Sequence, residues 1–227
     1  PQATGIANGI SIGAGRVSTI LLTGFEAFGG SAVNPSAQLA AALAGATVGG
    51  FAIETMVLPV VTVEAGDRLD AAIDAIGPAF VVCCGEDGGA AEIRVERVAV
   101  NRREFGADNL GTTCRDLPVV EGGPESLEAT LPVERLVAAS LAASVPAAPS
   151  DSAGTYLCNE VMYRALHRGL VGRSSPQAGF VHVPRLPEQG PGRAGVPMPL
   201  ERTLEGVRAM LAALAGEAAS GSHAART

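Results

Sequence analysis

Short apolar runs alternate with amphipathic stretches along most of this chain. The runs at 18–23, 51–58, 79–84 and 178–183 have the length of buried strands, and each is bounded by glycine, proline or polar residues. Between the second and third runs, Leu69, Ala72, Ile73 and Ile76 recur at the spacing of a helix with one buried face. Strands that alternate with helices in this way predict a three-layer α/β fold.

The same pattern extends to the rest of the chain. Helices are predicted over 35–43, where Pro35 begins the first turn, and over 133–145, 156–168 and from Pro199 onward. Residues 93–100 first alternate and then turn apolar, as in a strand. We therefore divide the chain into a flexible extension over 1–17, a folded domain over 18–219 and a frayed tail over 220–227.

Composition narrows the class of protein. A chain of 227 residues with 47% hydrophobic and 17% charged residues is expected to form one globular domain. A net charge of -7 argues against nucleic acid or an anionic membrane surface as a partner, and no apolar run approaches the roughly 20 residues of a membrane span. The segment 1–16 has neither the basic nor the apolar region of a secretory signal, so the cytoplasm is the expected location.

The four cysteines suggest neither a disulfide framework nor a metal site. Cys83 and Cys84 lie in an apolar strand, Cys114 is expected to be an exposed thiol in a polar loop, and no CxxC pair is present. With only three histidines and no paired spacing, no metal site is expected.

Cys158 and His182 are the residues whose positions suggest chemistry. Cys158 is predicted in the first turn of a helix, where the helix dipole and free N–H groups favour a thiolate. His182 lies near the carboxyl end of a predicted strand, the edge at which α/β proteins place their sites. A structural cysteine and a core histidine are the alternatives, but together the two residues indicate a cysteine hydrolase.

Glu96, Phe25 and Phe28 each allow two interpretations. Glu96 lies among apolar residues, so it is expected either to pair with Arg97 or to orient the imidazole of His182. Phe25 and Phe28 follow a strand in a chain that is only 4% aromatic, and they either fill the core or wall an apolar pocket. Their loop matches neither phosphate-binding glycine pattern, which disfavours nucleotide binding.

Several longer motifs resemble the pyroglutamyl peptidase type I family of cysteine peptidases. The motifs are TGFEAFGG at 23–30, NP at 34–35, VERVAVN at 95–101, DN at 108–109 with Gly111, TLP at 130–132, SAGTYLCN at 152–159 and GFVHVPRLPEQ at 179–189. The resemblance implies a single α/β/α domain with a mixed, mostly parallel sheet. It also implies removal of N-terminal 5-oxoproline from peptides without metal or organic cofactor, by an enzyme that forms homo-oligomers.

The resemblance also assigns roles to individual residues. It implies that Cys158 is the nucleophile, His182 the general base and Glu96 the residue that orients His182. It further implies that Phe25 and Phe28 enclose the pyroglutamyl ring, with Leu157 beside them and Asn34 near by.

One position departs from the family pattern. After Gly88 and Gly89 the family usually has an arginine that acts near the oxyanion or the substrate, whereas this chain has Ala90. Glu86 and Asp87 also replace residues that are usually uncharged in the family.

Loss of one oxyanion donor costs about 10²- to 10³-fold in rate, and Arg94 and Arg185 are candidate substitutes for the family arginine. Two alternatives to the peptidase follow. One is a thiol hydrolase that acts on a different amide, and the other is a catalytically impaired pyroglutamyl-binding homologue.

Overall fold

The computed structural model describes residues 18–173, 175–190 and 195–224, and for 217–224 it describes the backbone alone. The extension predicted over 1–17 lies outside the described residues. The helices are α1 (Pro35–Leu43), α2 (Glu64–Ile76), α3 (Val133–Ala142), α4 (Leu157–His167) and α5 (Leu200–Ala224). Two short 3₁₀ helices are also present among the described residues, at Arg168–Val171 directly after α4 and at Pro187–Gln189 before α5.

Among the described residues, seven strands form the main sheet, and four others form two separate pairs. The strands of the main sheet are β1 (Thr19–Phe25), β2 (Thr47–Val48), β3 (Phe51–Leu58), β4 (Phe80–Asp87), β5 (Ile93–Glu96), β10 (Ala147–Ser150) and β11 (Gln177–Pro184). The paired short strands are β6 (Val98–Val100) with β9 (Ser126–Glu128), and β7 (Arg103–Phe105) with β8 (Cys114–Leu117).

The sheet is mixed and mostly parallel, in the order β10-β5-β11-β4-β1-β3-β2. The pairs β1–β3, β1–β4, β4–β11 and β5–β10 are parallel, whereas β5–β11 and β2–β3 are antiparallel. β11, the last strand among the described residues, lies between β4 and β5, which are neighbours in sequence. β5 runs antiparallel to β11, and the register of this pair places Arg94 directly opposite His182.

The two faces of the sheet are covered by different helices, as strands that are apolar on both sides require. One core joins α1, α3 and α5 to residues such as Ile20, Val82 and Val181. The other core joins α2 and α4 to Leu21, Cys83 and Phe180. The predicted three-layer α/β/α fold is confirmed.

Most predicted elements occur within a few residues of their expected bounds. The helix over 35–43 and the strand over 51–58 have the predicted bounds, and the segment over 93–100 divides into β5 and β6. α3 ends at Ala142, before the predicted 145. The tail predicted over 220–227 lies partly in α5, which continues to Ala224, and otherwise outside the described residues.

Local capping fixes the turn between β1 and α1. Asn34 is the N-cap of α1, and its Oδ1 accepts hydrogen bonds from the N–H and the hydroxyl of Ser36. The Ser36 Oγ in turn accepts from the N–H of Phe25, at the end of β1. A Cβ at Gly24 would lie 2.2 Å from the Ser36 carbonyl oxygen, so only glycine allows this close approach. In the described part of the chain no helix has the length and apolar character of a membrane span.

Candidate active site

The carboxyl ends of β1, β4 and β11 meet at one edge of the sheet, and the amino end of α4 lies beside them. In open α/β sheets this edge is where ligands bind, because the loops that follow the strands diverge there. β11 brings His182 to this edge and α4 brings Cys158. β5 runs in the opposite direction and brings Glu96 and Arg94 from the side.

His182 and Glu96 form a buried pair. The Nδ1 of His182 lies 2.7 Å from Oε1 of Glu96, and the two residues are 8% and 1% exposed. The pairing follows from the antiparallel register, in which Glu96 lies opposite Phe180 and therefore on the same face as His182. Of the two partners expected for Glu96, the structure places it on the imidazole, whereas Arg97 binds Glu134 and Asp151.

Cys158 lies on the other side of the imidazole. Its side chain forms a hydrogen bond with His182. Because Glu96 binds Nδ1, we assign this hydrogen bond to Nε2, the other ring nitrogen. Burial alone would lower the pKa of His182, but the Cys158 sulfur and the Glu96 carboxylate outweigh it and raise the pKa to about 10. The arrangement therefore favours the imidazolium form of His182.

The first turn of α4 is held in place by its own polar side chains. Asn159 accepts from Val100 N–H and donates to the carbonyls of Val100 and Arg102, which links the helix to β6 and the loop that follows it. Glu160, which is fully buried, accepts from the Thr62 hydroxyl and the Val63 N–H. A carboxylate in the first turn also complements the helix dipole. The position of Cys158 is thus fixed from two directions.

An apolar cavity opens beside Cys158. Its wall contains all four residues to which the resemblance assigns substrate binding, namely Phe25, Phe28, Asn34 and Leu157. Val60, Glu86 and Tyr156 complete the wall. Phe25 and Phe28 therefore lie at the same edge of the sheet as Cys158, although they are far from it in sequence. The cavity has walls suited to methylene groups and few polar groups.

Tyr156 lies at the junction of this cavity with a second, more open groove. The groove contains Cys158 and His182 and is further lined by Asp87 and Arg94. The Tyr156 ring packs edge-on against Phe105, with centroids 4.8 Å apart, and its hydroxyl donates to the Ala107 carbonyl. Sequence reasoning missed Tyr156 as a wall of the site, although its place two residues before Cys158 was a usable signal.

Gly85 is a second residue that sequence reasoning missed. It lies in β4 directly opposite His182 in the parallel register. A Cβ at this position would lie 2.9 Å from the Cys158 Sγ and 2.8 Å from the Phe180 Cζ. The absent side chain is therefore what provides space for the thiol, a contact that only the structure reveals.

The remaining cysteines differ from Cys158 in exposure. Cys83, Cys84 and Cys114 are buried, and only Cys158 of the four is partly exposed. Burial raises the pKa of Cys83 to about 12 and raises the pKa of Cys84 further. The expectation that Cys114 is an exposed thiol is wrong: it is 4% exposed, because the β7–β8 pair folds its side chain inward.

The loop that departs from the family pattern is built around an ion pair. Ala90 is fully buried, and its carbonyl accepts from Val196 N–H. Arg94 lies 2.9 Å from Asp87 (Nη1 to Oδ2), and both line the groove that contains Cys158. Arg185, the other candidate substitute, donates to the Gly190 carbonyl and does not line this groove.

A thiol, an imidazole and a carboxylate linked by hydrogen bonds, at the carboxyl edge of an α/β sheet, define the class of cysteine hydrolases. Comparison with known proteins specifies the class further. The family model of pyroglutamyl peptidases matches residues 18–217. This chain belongs to the pyroglutamyl peptidase family of cysteine peptidases.

Individual relatives support this assignment. The chain is 45% identical to a pyrrolidone-carboxylate peptidase of Chromobacterium violaceum, over 76% of this chain and 80% of that one. It is 41% identical to a pyrrolidone-carboxylate peptidase of Coprothermobacter proteolyticus, over 84% and 94%. Among solved structures, pyroglutamyl peptidase I of Bacillus amyloliquefaciens is similar, with a TM-score of 0.84, 30% identity, and coverage of 88% of this chain and 97% of that one.

Proposed function

We propose that this protein is a cysteine exopeptidase that removes an N-terminal pyroglutamyl residue from peptides. The observation that carries the proposal is the hydrogen-bonded series Cys158, His182 and Glu96 beside a small apolar cavity. The names of the relatives, pyrrolidone-carboxylate and pyroglutamyl peptidases, support a pyroglutamyl group as the occupant of this cavity. The five-membered lactam has three ring carbons outside its amide, which suit the walls formed by Phe25, Phe28 and Leu157.

In the first half of the reaction the Cys158 thiolate attacks the α-carbonyl carbon of the pyroglutamyl residue, which lies outside the lactam ring and is bonded to the next residue. A C–S bond forms, and the carbonyl oxygen becomes an oxyanion. In the first turn of α4, the N–H of Glu160 donates to the Tyr156 carbonyl. The backbone N–H groups of the helical residues before Glu160 are those that a helix leaves without internal partners, and they can bind this oxyanion. Position and electrostatic stabilisation thus come from the same helix terminus.

The second half begins when the C–N bond breaks. The imidazolium of His182 donates its Nε2 proton to the leaving nitrogen, and the peptide departs as a neutral amine. His182 then accepts a proton from water, which attacks the thioester and releases free pyroglutamate and the Cys158 thiolate. Glu96 holds the orientation of the imidazole through Nδ1 and stabilises the imidazolium.

The test is hydrolysis of a fluorogenic pyroglutamyl amide, compared with the prolyl and alanyl amides of the same fluorophore. We expect turnover of the pyroglutamyl amide alone, with Cys158→Ala reduced by at least about 10⁴-fold at unchanged melting temperature. Faster turnover of another amide would support a thiol hydrolase of different specificity. Binding of free pyroglutamate without any turnover would support an impaired homologue.

We also propose a cytoplasmic location and a homo-oligomeric state, which stay predictions. All four cysteines are free thiols, as is common in reducing compartments. Fractionation of cells with an antibody tests the first prediction, and sedimentation velocity of the purified chain tests the second.

A further inference from the structure

Arg94 occupies a position that the reaction described above does not use. β5 runs antiparallel to β11, and Arg94 lies directly opposite His182. Side chains of directly opposed residues project from the same face of a sheet, with Cβ atoms about 4.5–5.5 Å apart. The Arg94 side chain therefore lies on the face of the sheet that carries His182, and it lines the open groove rather than the apolar cavity.

Asp87 holds Arg94 without using up its hydrogen-bonding capacity. Their contact joins one guanidinium nitrogen to one carboxylate oxygen, at 2.9 Å, and the Arg94 side chain is 41% exposed. Asp87 is the one acceptor of Arg94 among the described residues. A guanidinium carries five N–H donors, so most of them are available to a ligand in the groove.

The chemistry of the proposed reaction locates the group that would meet Arg94. The leaving nitrogen must lie within hydrogen-bond reach of the His182 Nε2 that protonates it. The α-carbonyl carbon of the residue after pyroglutamate is two bonds from that nitrogen. In a dipeptide this carbon belongs to a free carboxylate, whereas in a longer peptide it belongs to a neutral amide.

We propose that Arg94 is a specificity-determining residue that binds the α-carboxylate of pyroglutamyl dipeptides. This proposal rests on the proposed peptidase function. A charge-assisted hydrogen bond is roughly twice as strong as one to a neutral carbonyl, so the dipeptide is favoured over longer peptides. The ligand class is thus a pyroglutamyl amino acid with a free carboxyl group.

Glu86 is a carboxylate near the groove that opposes the preference for dipeptides, because it repels their α-carboxylate. It lines both the apolar cavity and the groove, but Gln189 Nε2 donates to its Oε2 at 2.9 Å. Gln189 is itself fixed, since it accepts from Leu186 N–H and donates to the Ser31 hydroxyl. Glu86 is therefore tethered toward Ser31, whereas Arg94 is tethered beside His182.

The experiment measures kcat/KM for pyroglutamyl-alanine and for its C-terminal amide, and takes the ratio within each variant. For the unmodified protein we expect a ratio of about fivefold in favour of the free acid, the upper end for a half-exposed charge pair. Arg94→Gln should bring the ratio to about one, and Arg94→Lys should retain part of it because the charge is kept. Asp87→Asn should raise the ratio, because the competing carboxylate is removed.

Arg97→Gln is the matched control. Arg97 lies three residues along the chain, its side chain is 39% exposed against 41% for Arg94, and it pairs with Glu134 and Asp151 away from the groove. Its removal should leave the ratio unchanged.

Three results would overturn the proposal. A ratio near one in the unmodified protein, with both compounds hydrolysed, rejects the role of Arg94 and leaves the peptidase function intact. A preference for pyroglutamyl-lysine amide that disappears in Glu86→Gln would show that the groove selects cations instead. Hydrolysis of neither compound would reject the proposed function and this proposal with it.

Discussion

The two ends of helix α4 both hold charged groups away from solvent, but they pair them differently. At the carboxyl end, Arg168 is 2% exposed and binds both Asp70 and Asp74, while Arg164 binds Asp67 and Asp70. At the amino end, the Glu96 carboxylate uses Oε1 for His182, and none of the described residues donates to its Oε2. The carboxyl end is a network of shared ion pairs, whereas Glu96, His182 and Cys158 form a linear series of single contacts.

The difference separates anchoring from chemistry. A charge with several partners is held in one position, which suits Arg168 as an anchor between α4 and α2. His182 instead contacts one carboxylate and one thiol, an arrangement that suits the proton transfers proposed for it. The network at the carboxyl end of α4 therefore contributes stability, whereas the contacts at the amino end serve the proposed reaction.

The largest expected effect concerns thiol reactivity. With iodoacetamide near neutral pH, we expect alkylation of Cys158 alone, because it is partly exposed and contacts His182, whereas the other three cysteines are buried. Mass mapping after limited reaction measures this, and loss of activity should parallel the labelling of Cys158. Labelling of Cys114 with Cys158 untouched would contradict the assignment of the nucleophile.

Glu96→Gln should lower kcat/KM by roughly 10²- to 10⁴-fold, because an amide neither stabilises the imidazolium nor fixes its tautomer. It should also move the alkaline limb of the pH profile. The carboxylate contributes to a His182 pKa of about 10, so its removal lowers that pKa and the imidazolium is lost at lower pH.

The measurement is kcat/KM on the pyroglutamyl amide across pH, for the unmodified protein and Glu96→Gln. Glu125→Gln, an exposed change, serves as the control. An alkaline limb at the same pH in both variants would show that Glu96 does not act through His182.

Arg168→Met should reduce the free energy of unfolding by up to about 3 kcal/mol, since it removes the most buried cation of the network and leaves Asp70 with the more exposed Arg164 and Arg173. Activity per folded molecule should not change, because the network lies far from the thiol. Urea denaturation with Arg68→Gln as the control measures this; Arg68 belongs to an exposed pair, worth at most about 0.5 kcal/mol. Equal stability of the two variants would remove the distinction between the ends of the helix.

Gly85→Ala should give the smallest of these effects, about a 10²-fold loss of kcat/KM. The new methyl group would meet the Cys158 Sγ at 2.9 Å and displace it from the imidazole. Slower alkylation of Cys158 should accompany the loss. Gly106→Ala, whose Cβ meets nothing within 4 Å, is the control. Unchanged activity in Gly85→Ala would show that the site tolerates displacement of the thiol.

The sequence allowed a good prediction of the layered fold and of the residues that meet at the site. Long apolar runs and helical spacing are local signals, and they placed β1, β3, β4 and β11 within a few residues of their bounds. The four short strands between 98 and 128 were not all predicted, because their sequence is polar and interrupted by glycine and proline. The same gap explains the wrong exposure expected for Cys114.

Features that depend on register were beyond sequence reasoning. The contact of Glu96 with His182 was one of two options, and only the antiparallel direction of β5 decides between it and Arg97. The space above Gly85 and the position of Arg94 opposite His182 likewise follow from strand pairing. Neither has a signal in composition or periodicity.

The insertion of β11 between β4 and β5 determines when the protein becomes active during its synthesis. A nascent chain that ends before Gln177 lacks His182. Its strands β4 and β5 also lack the strand that lies between them in the folded sheet. Glu96 and His182 are 86 positions apart, and pairings over such distances form slowly. The thiol of Cys158 is thus synthesised before the base proposed for it, and under the proposed mechanism the nascent chain stays inactive until β11 joins the sheet.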